Sequence, residues 1–253
     1  MCRLAILSHR SLAQRRPSSR RNQDGAIPHS NLSLSNLSTH RFQTYEQWGA
    51  FAQEWRNSYL AFTRSIAADP SITYKTVDEH HLDSLRELLA SHKLSKLWPD
   101  HIVQDLSLIW HHLAPWPDTN AGLAALNDSG LQTVTLTNGN LALINDMVSA
   151  AGMPFTYVFS AEMFNSYKPN PAIYLGAAEK LGLKPEECGM VAAHLDDLAA
   201  AQKCGFSTVY VERPQEERHL ELRKQTGIVD YWVKEDEDGF VRAAGLLSVG
   251  RES

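Results

Sequence analysis

Three short stretches, each just past an apolar run, carry side chains that could meet around one ligand. Leu136-Thr137-Asn138-Gly139 ends the first run, Tyr167-Lys168-Pro169-Asn170-Pro171 follows the second, and Val191-Ala192-Ala193-His194-Leu195-Asp196-Asp197-Leu198 closes the third. A hydroxyl and backbone amides at a strand-to-helix junction can bind an anionic oxygen, although Asn-Gly is also a common turn pair. Lys168 precedes a proline, which restricts it to extended geometry, and Asn170-Pro171 reads as a helix start. An ammonium held still there could neutralise a carboxylate or phosphate; an ordinary lysine is merely solvated. Asp196 and Asp197 directly after a buried strand either cap a helix or meet a cation. A fourth stretch, Trp55-Arg56-Asn57-Ser58-Tyr59, places a guanidinium inside a helical pattern.

The elements that would position these groups follow from periodicity. From Thr44 to about Leu113 the apolar residues recur at helical steps, as in Phe51, Trp55, Tyr59, Phe62 and Ile66. This predicts an all-helical block, ending at an aromatic-rich loop, Pro115-Trp116-Pro117. After Asp118 the pattern alternates. A helix over 119–129, with Asp118 as N-cap and Gly130 as its stop, precedes a strand at 131–136. A helix at 141–151, a strand at 155–159 and a helix at 171–181 come next. Strands at 189–193 and 206–211 flank a helix at 195–204, and 229–233 reads as a last strand. Alternation of this kind implies a parallel sheet with helices on both faces. Ligands of such sheets sit at the carboxyl ends of the strands, where all three stretches fall.

Composition narrows the class. Of 253 residues, 43% are hydrophobic and 21% charged, ordinary for a globular chain that can bury a sizeable core. The net charge of −5 argues against nucleic-acid and anionic-membrane roles. No apolar run approaches the ~20 residues of a membrane helix. Cys2, Cys188 and Cys204 are too few and unpatterned for a disulfide framework or zinc ribbon, which suits a reducing compartment. A cytoplasmic location is expected. The minor alternative is mitochondrial, because residues 1–23 hold six arginines, many serines and no acid, against which Pro17 would cut short an amphipathic helix.

Together the motifs Thr137-Asn138-Gly139, Lys168-Pro169 and Asp197 resemble, in order and spacing, the haloacid dehalogenase superfamily, with the type II L-2-haloacid dehalogenases the nearest branch. The likeness covers roughly residues 44–245. It implies an α/β fold, a Rossmann-like parallel sheet core with an inserted α-helical cap. Residues 1–43 would be an atypical, poorly ordered segment with a remnant first strand at 4–8, residues 44–115 the cap and 116–253 the core. The resemblance assigns Lys168 and Asp197 to catalysis, and Arg56, Thr137, Asn138, Tyr174 and His194 to substrate. Asp197 would hold Lys168, Thr137 and Asn138 would bind a carboxylate, and Arg56 would take the leaving group. Trp110 and Trp116 would be apolar wall or plain helix packing. The family's serine and asparagine before the aspartate appear here as Ala192 and His194. Its opening strand with a nucleophilic aspartate, roughly Asp-x-x-Gly-Thr, has no counterpart between Met1 and Trp55. Leu4-Ala5-Ile6-Leu7 could be that strand, putting Ser8 near the aspartate's place; Asp24-Gly25 has no apolar strand before it. The implied function is a hydrolase acting on a small organic acid or related anion, without cofactor. The alternatives are a magnesium-dependent phosphatase and a non-catalytic anion-binding relic. The expected partner is the small anion alone, with no nucleic acid or membrane, and a homodimer left open.

Overall fold

The computed structural model describes residues 4–7, 13–14, 44–225 and 227–249. Ser8, Asp24, Gly25 and the expectation of poor order over most of 1–43 lie outside the described residues.

The chain enters on β1 (Leu4–Leu7) and the two-residue β2 (Ala13–Gln14). Helices α1 (Tyr45–Ala68), α2 (Val77–Ser91) and α3 (Asp100–Ser107) follow, then a 3-10 turn at Ile109–His112 and the short β3 (Ala114–Pro115). Strand and helix then alternate. First come α4 (Thr119–Asp128), β4 (Gln132–Thr137), α5 (Leu141–Ala151), β5 (Tyr157–Ser160) and α6 (Pro171–Lys180). After them come β6 (Cys188–Ala192), α7 (Leu195–Lys203), β7 (Ser207–Val211), β8 (Tyr231–Val233) and α8 (Gly239–Val249). The large sheet runs β5-β4-β1-β6-β7-β8 with every pair parallel, the α/β class expected. β1 is central, with Leu7 opposite Thr135 on one side and Val191 on the other. β3 pairs antiparallel with β2, where the sequence suggested only a loop.

Both faces of the sheet are covered, since the strands β4, β6 and β7 are buried almost throughout. The threonines of β4 tolerate this because their hydroxyls are bonded. Thr133 donates to Asn127 Oδ1 at 2.9 Å and Thr135 to the Phe159 carbonyl at 2.8 Å. Gly152 ends α5 in the left-handed region, at φ 58°, which glycine adopts without strain. Asp118 precedes α4 but does not cap it through its side chain. Its carboxylate takes a two-pronged bond from Arg213 at 2.9 and 2.7 Å and the Phe240 N–H at 2.6 Å, fixing α4 beside the start of α8. Gly122 on α4 admits the backbone of Phe240, which a Cβ would overlap.

The helical block has an apolar cluster of its own: Phe51, Trp55, Leu85, Leu89, Leu94 and Val103. Trp110 packs into it, and Trp116 lies 4.9 Å beneath the Arg213 guanidinium, so both tryptophans serve packing. Thr44 and Thr76 open α1 and α2 with capping boxes. α1 is 24 residues long, ~36 Å at the usual rise. Its first half fills the block's cluster, while Ile66 joins the main core with Tyr59 and Phe62 packed beside it. One helix therefore ties the block to the sheet.

Candidate anion-binding cleft

The three sequence stretches converge where the strands end. Asp197 lies in the first turn of α7 after β6, and its side chain does not cap that helix. Oδ2 receives Lys168 Nζ at 2.6 Å and Oδ1 receives the Tyr174 hydroxyl at 2.6 Å. Of the amides opening α7, Leu195 N donates to Glu217 Oε2 at 2.8 Å and Asp197 N to Asp196 Oδ1 at 2.9 Å. The helix-cap alternative for Asp197 thus falls to its neighbour Asp196 and to Glu217, the latter 22 positions beyond Leu195. Tyr174 is fully buried. Burial first, and the Asp197 charge second, push its hydroxyl well above the ordinary range, so it remains a donor.

Lys168 is held from several sides. Its N–H donates to Asn138 Oδ1 at 2.7 Å and its carbonyl accepts from Asn138 Nδ2 at 3.2 Å. The Lys168-Pro169 bond is cis. On either side, Tyr167 donates to the Lys75 carbonyl at 2.7 Å and Asn170 to the Ala67 carbonyl at 3.0 Å, both in the helical block. Asn170 also caps α6 through the Ala172 N–H at 2.9 Å. Asn138, expected to bind the ligand, borders the cleft and holds the lysine loop through both ends of its amide. Thr137 Oγ1 accepts the Gly139 N–H at 2.9 Å, which leaves the hydroxyl proton for donation.

Beside these groups lies a cleft of about 120 Å³, bordered by Thr137, Asn138, Lys168, Tyr174, His194 and Asp197. Arg56 is not among the described residues that border it. Its guanidinium faces the buried carboxylate of Glu216 at 3.7 Å, and His194 Nε2 reaches the same oxygen at 3.6 Å. The arginine of α1 at the cleft is Arg64, two turns further on, ~12 Å along the axis. It shares Asp196 with His219, at 3.9 and 3.7 Å. Arg218 also lines the rim. Sequence reading passed over Arg64, Arg218, His219 and Glu216. The stripe Tyr59, Leu60, Thr63, Arg64 has helical spacing that could have revealed one of them. The segment after β7 has no periodic signal.

Both oxygens of Asp197 are taken, and no group of three His, Cys, Asp or Glu that could hold a metal occurs among the described residues. No described helix is long and apolar enough to cross a membrane.

A parallel sheet with a buried lysine–aspartate pair beside a cleft at its carboxyl edge defines an α/β protein with a candidate site there. The model of the haloacid dehalogenase-like hydrolase family matches residues 33–205, more than half the chain, and the chain belongs to that family. It is 31% identical over 183 residues to (S)-2-haloacid dehalogenase 4A of Burkholderia cepacia, covering 70% of this chain and 77% of that protein. Glyceraldehyde 3-phosphate phosphatase of Methanopyrus kandleri is 28% identical over 182 residues, covering 71% of this chain and 75% of that one. The chain spans about half, 53%, of (S)-2-haloacid dehalogenase 1 from Pseudomonas sp., at 31% identity over 46% of itself. Among solved structures, the L-2-haloacid dehalogenase PA0810 superposes with a TM-score of 0.69 at 26% identity, covering 98% of this chain and all of that one.

Proposed function

We propose that this member of the hydrolase family binds a small organic acid or related anion in the cleft, with Lys168 as the charged anchor. The observation that carries this is the Asp197–Lys168–Tyr174 cluster. Asp197 fixes an ammonium that is 9% exposed at the mouth of a cleft also edged by the Thr137 hydroxyl. A fixed charge aimed at a partly dry site stabilises an anion without reorganising when it arrives. Thr137 donates its hydroxyl proton to the anion, while the Gly139 N–H holds the same oxygen in place. Relatives named as a 2-haloacid dehalogenase and as a glyceraldehyde 3-phosphate phosphatase support a small anionic ligand, since an acid and a phosphate ester stand in their names.

Turnover is a separate question. The family's covalent route needs a carboxylate to attack carbon or phosphorus before water cleaves the ester. The sequence offers no Asp-x-x-Gly-Thr to follow β1, so the chain as it stands is expected to bind its anion without hydrolysis above background. The test is thermal unfolding with phosphate or lactate. An anion at a hundred times its Kd adds about 2.7 kcal/mol. That gain should vanish in Lys168→Ala and shrink in Thr137→Ala, while a 2-chloropropionate and p-nitrophenyl phosphate assay stays at background. Equal gains in wild type and both variants reject the pocket.

A further inference from the structure

The site loop 137–140 is held by partners from both halves of the molecule. Ser160 donates to the Gly139 carbonyl at 2.6 Å, and Glu162 accepts from Leu141 N at 2.6 Å, both from the sheet side. The helical block contributes Asp78, in the first turn of α2, whose Oδ2 accepts from Asn140 Nδ2 at 2.7 Å. Asn140 occupies the N-cap position of α5 but makes no side-chain cap bond there. Its amide reaches across to the helical block instead.

Asp78 is in turn held by His111, and His111 by a second acid. His111 Nε2 lies 3.1 Å from Asp78 Oδ1, and Nδ1 lies 2.7 Å from Asp146 Oδ2 on α5. The ring is 6% exposed. Two carboxylates on opposite ring nitrogens are both satisfied only by the imidazolium, since the neutral ring has one N–H. The geometry points to His111 as a proton-operated latch between the helical block and α5, which positions the anion-binding loop through Asp78 and Asn140. His111 is a positioning residue, and the coupling rests on the reading of the cleft given above.

The direction is fixed by the surroundings. The Asp78 hydrogen bond raises the His111 pKa above its ordinary 6.5, burial opposes this, and the Asp146 bond adds to it. Asp78 is the stronger partner, its carboxylate 21% exposed against 64% for Asp146. Burial alone would raise the Asp78 carboxyl, but bonds from His111 and Asn140 hold it below its usual value. His81 faces the same cluster from α2, and burial pushes it down to about 3. His80 beside it is pushed down to about 4, also by burial. The signs therefore differ. The His111 contribution is fully present below the unfolded pKa and is lost as pH rises through the raised folded value. His80 and His81, buried neutral, cost stability as pH falls below about 6.5. His194 and His219 line the cleft itself. The latch is therefore the difference between wild type and His111→Gln, which is neutral at every pH.

The experiment measures lactate affinity by calorimetry at about pH 5.5 and about pH 8.5, lactate remaining ionised throughout, together with the His111 ring titration by NMR. Wild-type affinity should fall about tenfold more across that range than in His111→Gln, in the normal range of site-to-site coupling. By reciprocity lactate should move the His111 titration upward. A His111 that titrates at or below 6.5 in the folded protein, or the same pH dependence in both proteins, overturns the latch. If His111→Gln fails to fold, Asp146→Asn, which removes one carboxylate from the ring, should lower the His111 titration point, and no change overturns the proposal. Lactate binding that needs Lys168 but ignores pH rejects the coupling alone. No lactate binding at any pH rejects the coupling together with the cleft reading.

Discussion

The cleft and the join between helical block and sheet each set a buried base against a carboxylate, and they differ in permanence. In the cleft, Lys168 meets Asp197, and both oxygens of that acid are occupied by fixed donors. At the join between helical block and sheet, His111 meets Asp78 and Asp146, and its second proton is present only below its pKa. An ammonium stays charged at neutral pH and an imidazole does not. The first cluster can therefore act as a constant anchor, and the second as an adjustable one. The depth of the acids differs in the same sense: the Asp197 side chain is 10% exposed and that of Asp146 64%.

Three substitutions test that contrast, from the largest expected effect to the smallest. Asp197→Ala strands the Lys168 ammonium with little access to water. Breaking a buried pair by removing one partner costs about 3–5 kcal/mol. Urea unfolding should show that loss, and the double change Lys168→Met with Asp197→Leu should recover most of it. A single-variant loss below about 1 kcal/mol, the range of surface pairs, would put the cleft pair on the same footing as the His111 cluster. Tyr174→Phe removes one donor to the same carboxylate without removing the charge. The loss should be about 1.5–3 kcal/mol, as for a hydrogen bond to a charged group. Because Tyr174 does not ionise near neutrality, that loss should not vary between pH 6 and 8. Asp146→Asn should cost under about 1 kcal/mol, because its carboxylate is mostly in water. Its effect should fade as pH rises and His111 loses its proton. An effect that grows with pH would break the comparison.

Much of this was legible in the chain because it is local. Thr137 ends β4, Asp197 lies five residues past β6 and Lys168 eight past β5, and strand ends are marked by apolar runs and turn chemistry. The parallel order of the core elements follows from their alternation, and Asn170 beside Pro171 set the start of α6 as expected. Even β1, four residues of a weak signal, falls in the middle of the sheet. The function class was legible through the resemblance that these three groups carry, and the family match gives the same class, a hydrolase.

Other assignments needed the folded molecule. Whether Arg56 or Arg64 reaches the cleft depends on the phase and axial position of α1, and neither is encoded by the residues beside them. Asp118 looked like a cap, yet a guanidinium 95 residues away and the amide of Phe240 hold its carboxylate. Asn138 looked like a ligand group, and the lysine loop brought against it also takes both ends of its amide. His111 lies 33 residues from Asp78 and 35 from Asp146, with nothing in its neighbours to mark it. Sequence sets which residues can form a strand end, because that is decided over a few bonds of chain. Which charges meet across tens of residues is decided by the angles and depths at which whole elements pack, and only the tertiary structure fixes those.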